Sequence, residues 1–248
     1  MLIYGINPVL EALRAGRVTA LRMSPRADDR LTALVRLAEQ QDVPIRRVAA
    51  VDLDRAVGGG ARHQHQGVVA DLRESEKVGV EDLIARARGA PLIVVLDGIE
   101  DPHNVGAILR TVDAAGADGL VRQSRRAAPL GGAAAKASAG AVAHVKVAEV
   151  VNIARALDTL KSAGVWTVGF DGGATKRYDD VDFMLPTALV VGAEGAGLRR
   201  LVRERCDWLV SIPMLGHVQS LNVSVATGIA LFEAVRQRRK RGRESSSA

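Results

Sequence analysis

The chain has 248 residues, 48% of them hydrophobic, which is the composition of a globular protein with one large or two modest domains. A single cysteine, Cys206, excludes an internal disulfide framework and fits a reducing cytoplasm; no apolar run nears the roughly 20 residues that cross a bilayer, and the N-terminus lacks a signal-peptide pattern. The net charge is +6, and Arg236, Arg238, Arg239, Lys240, Arg241 and Arg243 account for all of it, so the excess is a C-terminal tail that reads as a solvated helix end or an electrostatic arm toward RNA.

In chain order, Asn7 is placed to cap a helix with Pro8 as its first residue. ALRMS (20–24) predicts a strand, and DRLTALVRLAEQ (29–40) a helix capped by Asp28 or Asp29. PIRRVA (44–49) and GVVADL (67–72) predict further strands. Gly58, Gly59 and Gly60 read as a mobile loop ahead of His63 and His65. Residues 1–72 are taken as one domain, and the polar, charged residues 73–81 as a linker that few apolar contacts could cross. From 82 to 240, strands and helices alternate. LIVVLDG is a continuous apolar run, the mark of a strand buried on both faces. PHNVGAILRTVDAAG is its helix, with Pro102 near the start and Gly116 near the end. DGLVRQ, VWTVGF, ALVVGA and WLVSIP predict four more short strands; NIARALDTLKSAG and NVSVATGIALFEAVRQRRK predict helices. The alternation argues for a parallel α/β sheet, with 241–248 left as a disordered basic tail.

Ligands of open parallel sheets sit beyond the carboxyl ends of the strands. Three loops there mix glycine with polar groups: LDGIEDPHNVGAILR, VVGAEGAGLRR and SIPMLGHVQSLNVSVATG. The glycines of GAEGAG (Gly192, Gly195, Gly197) do not make a dinucleotide fingerprint and come late in the domain, and GxxxxGK[ST] is absent. A nicotinamide dehydrogenase and a P-loop NTPase are therefore disfavoured. His63 and His65 lack further ligands at useful spacing, and His103, His144 and His217 are scattered, so no metal site is expected. Cys206 reads as a small buried residue rather than a nucleophile. Aromatics are 3% of the chain, which favours RNA recognition by shape and phosphate contacts over stacking on several bases. Singly, GAEGAG would be a tight turn, Asn222 an N-cap and Arg110 a solvated helix arginine.

Together these segments resemble the three motifs of the SpoU/TrmH family, in the SPOUT class of RNA ribose 2′-O-methyltransferases. Asn104 and Arg110 match the first motif, Gly192, Glu194 and Gly195 the second, and Ile212, Pro213, Ser220, Leu221 and Asn222 the third. The N-terminal part, from IYGINPVLEAL to HQGVVADL, looks like the small α/β, L30e-like RNA-binding domain of the family's ribosomal branch. The resemblance implies a parallel-sheet domain with a C-terminal trefoil knot, a rare exception to unknotted chains. It implies S-adenosyl-L-methionine as cofactor, contacted by Gly192, Gly195, Ile212, Leu221 and Met214, and a homodimer acting on a guanosine of 23S rRNA. It implies Arg110, Asn104, Glu194, Ser220 and Asn222 as the catalytic set. A guanidinium is a poor base, so Arg110 is read as binding the adjacent phosphate and favouring the developing alkoxide. Glu194 and Asn104 would orient Arg110 or the ribose, with Ser220 and Asn222 completing the polar wall. Lys136 and Ser138 follow the family pattern KxSxG, but Gly131 stands where the ribosomal branch often has asparagine. Two rivals remain. A tRNA ribose 2′-O-methyltransferase is opposed by the N-terminal domain. A non-catalytic RNA-binding assembly factor is opposed by the joint presence of Asn104, Arg110, Glu194 and Asn222.

Overall fold

The structure is a computed structural model that describes residues 1–25, 29–58, 65–74, 76–125 and 127–244. The first seven elements are β1 (Leu2–Tyr4), α1 (Ile6–Arg14), β2 (Val18–Met23), α2 (Asp29–Gln40), β3 (Ile45–Arg47), α3 (Ala50–Ala56) and β4 (Val68–Leu72). They form a four-stranded sheet in the order β1-β4-β2-β3. β4 runs antiparallel to both neighbours, and β3 parallel to β2. Ile3, Leu13, Leu21, Met23 and Leu34 are fully buried, and Tyr4, Leu53 and Val69 make a second small cluster.

The first helix starts differently from the sequence expectation. Its N-cap is Gly5, at φ 93°, and no side chain caps it. Asn7 lies inside the helix because the Ile6 N–H is already taken by the Gln66 side-chain oxygen at 3.0 Å. Pro8 still falls in the first turn, where its missing N–H has no intrahelical partner to lose. The predicted cap Asp28, the glycines Gly59 and Gly60, and His63 lie outside the described residues. His65 is a buried core histidine: its Nδ1 accepts from the Gly67 N–H at 2.9 Å, and its Nε2 lies 3.2 Å from Asp54.

The chain divides into two compact units. One comprises Met1–Glu76, Val105–Arg110 and Pro129–His144; the other comprises Lys77–Asn104, Thr111–Ala128 and Val145–Ala248. The first unit thus takes in α6 (Gly132–Ala137), which packs on β1. Gly140 lets the chain close on α1, since a Cβ there would fall 2.6 Å from that of Glu11.

The second unit holds α4 (Val80–Ala85), β5 (Leu92–Asp97), β6 (Gly119–Gln123), β7 (Val147–Val150), α7 (Ile153–Ser162), β8 (Trp166–Phe170), β9 (Thr187–Gly192), α8 (Arg200–Arg205), β10 (Trp208–Val210) and α9 (Val223–Glu244). Residues of α5 (Pro102–Ala115) belong to both units. The sheet order is β10-β8-β9-β5-β6-β7, and every pairing is parallel. All six residues of β5 are buried, as its unbroken apolar run predicts for a central strand covered on both faces. α5 is capped by Asp101, whose side chain accepts from His103 N–H, and ends at Gly116 in the left-handed region.

Within the stretch predicted as a linker, Val78 pairs with Ala148, and Val78 and Val80 are buried in the second core. At the other end α9 runs to Glu244, so residues 241–244 of the expected tail are helical. Arg238 is not solvated: it donates to the carbonyls of Phe183, Ala90, Pro91 and Leu185, and burial lowers its pKa. Among the described residues no helix is long and apolar enough to cross a membrane.

Candidate active site

The strand order reverses beside β5, which pairs with β6 on one side and β9 on the other. Beyond the carboxyl ends of β8, β9 and β10 lies a cleft of about 1030 Å³, where open parallel sheets bind their ligands. Gly192, Glu194, Gly195, Ile212, Met214, Ser220, Leu221 and Asn222 line it. At Gly172, Gly195, Gly197 and Gly216 nothing stands within 4 Å of where a Cβ would be, so much of the lining is bare backbone.

The loop after β9 is a tight fold-back. Gly197 N–H donates to the Ala193 carbonyl at 2.8 Å, and Ala196 N–H to that of Glu194 at 2.9 Å. Gly195 and Gly197 have φ of 75° and 65°, which glycine adopts at little cost. A Cβ on Gly192 would lie 2.2 Å from the Gly197 carbonyl, so no other residue fits beneath this turn. Its tip presents Glu194.

Three loops meet at Asn222. Its Nδ2 donates to Asn104 Oδ1 at 2.9 Å and to Glu194 Oε1 at 2.5 Å. Its Oδ1 accepts from the backbone N–H and the hydroxyl of Ser224 at 2.9 and 2.5 Å. Asn222 therefore caps α9 and, with the other end of the same amide, joins the first and second motifs. Asn104 is 8% exposed; Glu194 and Asn222 are exposed.

Arg110 belongs to the first compact unit. It is exposed and has no hydrogen bond or ion pair among the described residues. Of the two roles expected for Glu194 and Asn104, orienting Arg110 or the ribose, the bonds to Asn222 set both side chains in the polar wall on the ribose side.

A fourth strand end contributes residues that the motif reading missed. Phe170, the last residue of β8, and Asp171 and Gly172 after it line the cleft. Asp171 accepts from Gly173 N–H at 2.8 Å and from Arg203 Nε at 2.5 Å. The Gly173 bond, against some burial and with help from Arg203, holds its carboxyl below the usual range, so it is ionised at neutral pH. The signal was present in VWTVGFDGG, a buried strand running into Asp-Gly-Gly.

Outside the cleft, Ser138 is buried and serves its own turn, its hydroxyl donating to the Ala135 carbonyl at 2.8 Å. At Gly131 a Cβ would fall 2.8 Å from the Leu2 carbonyl, so the residues at the N-terminus occupy the space that a side chain would need. Cys206 is half-buried, and burial pushes its thiol up to about 12, which removes the thiolate needed for nucleophilic work. Among the described residues no group of three or more His, Cys, Asp or Glu side chains could hold a metal ion.

An all-parallel α/β sheet with a glycine-lined cleft beyond the carboxyl ends of its strands, and loop side chains joined at its edge, defines the class of α/β proteins that bind a small organic cofactor beyond their strand ends. The chain belongs to the SpoU rRNA Methylase family, whose profile matches residues 91–232. A second profile, for RNA 2′-O ribose methyltransferase substrate binding, matches residues 2–78. The 23S rRNA (guanosine-2′-O-)-methyltransferase RlmB of a Burkholderia species is 46% identical over 244 residues, 97% of this chain and 98% of that one. Among solved structures, the SpoU methyltransferase AviRb from Streptomyces viridochromogenes in complex with the cofactor AdoMet aligns with a TM-score of 0.80 at 29% identity, covering 97% of this chain and 91% of that one. An AdoMet-bound rRNA methyltransferase from Sinorhizobium meliloti aligns with a TM-score of 0.79 at 27% identity, covering 95% and 86%.

Proposed function

We propose that this chain transfers a methyl group from S-adenosylmethionine to the 2′-hydroxyl of a guanosine ribose in 23S rRNA. The observation that carries the reading is the convergence of Asn104, Glu194 and Asn222, one from each motif loop, at the edge of the glycine-lined cleft. The lining suits the cofactor: bare backbone offers donors and acceptors to a nucleoside, Ile212 and Leu221 offer apolar wall, and the carboxylates of Asp171 and Glu194 match a cation. When bound, S-adenosylmethionine supplies a methyl on a sulfonium, already a strong electrophile, so the protein's task is positioning and exclusion of water.

The residues divide that task. Gly192, Gly195, Ile212, Met214 and Leu221 hold the cofactor. Asn104, Ser220 and Asn222 form the polar wall that orients the ribose, and Glu194 is fixed there by Asn222. Arg110, free of protein partners among the described residues, binds the phosphate next to the target ribose and favours the alkoxide as the hydroxyl proton leaves to water or phosphate. Residues 1–72 supply the preference for rRNA, which the match of residues 2–78 to a substrate-binding profile supports, and residues 82–240 carry the transfer. The full-length similarity to relatives named as 23S rRNA methyltransferases favours rRNA over a tRNA substrate. Exposed Leu215, Val218, Val225 and Phe232 leave apolar surface beside the third motif and along α9, which supports a homodimer. A trefoil knot around the third-motif loop and a cytoplasmic location complete the proposal.

Mapping ribose methylation across 23S rRNA in cells with and without the gene tests the reading. A single guanosine should lose its 2′-O-methyl group when the gene is removed. An unchanged 23S rRNA with a changed tRNA would contradict the substrate, and no change in any RNA would favour an assembly factor.

A further inference from the structure

Asp97 is the last residue of β5, and its side chain is fully buried. It does not line the cleft. Its carboxylate accepts from the Arg199 backbone N–H at 2.8 Å and from Arg199 Nε at 2.7 Å, with Nη2 of the same guanidinium also against it. The Gln123 carboxamide at the end of β6, oriented to present its oxygen, accepts from Nη1 and Nη2 of Arg199 at 2.9 and 3.0 Å. In the β5–β9 ladder the partner of Asp97 is Gly192. Residues 193–198 therefore leave the sheet beside Asp97 at Gly192 and are bound back to Asp97 at Arg199. This is the fold-back loop that carries Glu194.

We infer that Asp97 is a positioning residue that clamps both feet of the 193–198 loop, through the strand ladder on one side and its carboxylate on the other, and so holds Glu194 and the bare backbone of the turn in register with the cofactor cleft. Few other constraints act on the loop. Among the described residues, two backbone bonds, at Ala196 and Gly197, tie the turn to itself, while Leu198 seals its far end into the core. Glu194 reaches Asn222 from an exposed tip. A tip of this kind keeps its geometry only if its base is fixed, and small misplacements are expensive in transfer chemistry. A buried carboxylate with a charged, forked partner gives a base with little freedom.

The inference rests on the reading of the cleft as the cofactor site, and the test separates the two. The double variant Asp97→Asn/Arg199→Leu removes both charges together, so no buried charge is orphaned; Arg199→Lys keeps the charge but loses the fork. Amide hydrogen exchange on the cofactor-free protein is read first. In the double variant the Ala196, Gly197 and Arg199 amides should exchange at least about tenfold faster, while amides in the middle of β5 and β9 keep their protection. Calorimetry should find S-adenosylmethionine bound about tenfold more weakly, and single-turnover transfer slowed by at least as much. Arg199→Lys should lie between the parent and the double variant in all three. Loop exchange and cofactor affinity within twofold of the parent would overturn the clamp, even with a lowered melting temperature. If the double variant does not fold, Arg199→Lys decides by the same readouts, with parent-like loop exchange and affinity overturning the inference. A parent that binds no S-adenosylmethionine would overturn the reading of the cleft, while the exchange measurement would still decide whether Asp97 fixes the loop.

Discussion

The two ends of α9 both carry polar side chains with several hydrogen bonds, and they do opposite kinds of work. At the N-terminal end, exposed Asn222 bonds to the side chains of Asn104 and Glu194 and caps its own helix. At the C-terminal end, half-buried Arg238 gives its donors to four backbone carbonyls at the starts of β5 and β9. Backbone carbonyls are present whatever the local sequence, so the bonds of Arg238 hold the fold. The partners of Asn222 are side chains from two distant loops, so its bonds depend on particular residues and hold a site. Number of hydrogen bonds does not separate structural from functional residues here; the nature of the partner does.

The comparison can be broken at four points. The largest effect is expected from Arg110→Ala. Because Arg110 has no partner among the described residues, its loss should leave the fold and cofactor affinity intact while single-turnover methylation falls at least about 10²-fold. Near-parent turnover would remove Arg110 from the catalytic set.

Asn222→Ala should reduce transfer by roughly tenfold or more and lower stability by about 1 kcal/mol through the lost cap. Asn222→Ser sharpens the point. It restores a cap oxygen, so the melting temperature should recover, but it cannot reach both Asn104 and Glu194, so transfer should stay low. Recovery of both together would make Asn222 a cap and nothing more.

Arg238→Ala should behave in the opposite way. Denaturant unfolding should report a loss of about 1–3 kcal/mol, the cost of leaving buried acceptors unpaired, while transfer per folded molecule stays near the parent. A large fall in transfer without a stability change would erase the distinction between the two ends. The smallest effect is expected from ending the chain after Arg239. RNA affinity should lose roughly 0.7 to 0.9 of its log–log salt slope for each phosphate contact removed. An unchanged slope would make the removed basic residues spectators.

The sequence was readable where physics is local or repeated. β5 is legible because a central parallel strand must be apolar throughout, and α5 because Asp101, Pro102 and Gly116 mark both of its ends. β7 was hidden because this edge strand has only one fully buried residue, Ala148, and its short run beside charged neighbours looks like loop. α4, α6 and α8 have six residues each, too few for a helical period to emerge. The start of α1 was misplaced because Gln66, distant in sequence, supplies the acceptor that decides it. In the site, the motif residues around Asn222 could be found by resemblance, but Asp97 is the final letter of an apolar run, and only the fold sets it against Arg199. Arg238 was read with the charges around it as tail, since charge alone does not reveal which guanidinium is buried.

The central claim is tested most directly by incubating the full chain with 23S rRNA and S-adenosylmethionine labelled in its methyl group, then hydrolysing the RNA with alkali. A 2′-O-methyl group protects its phosphodiester, because the neighbouring hydroxyl that would attack it is gone. The account predicts label in one alkali-resistant dinucleotide whose 5′ member is guanosine. Label recovered in mononucleotides, as base methylation would give, or no label in RNA while the protein binds the cofactor, would contradict it.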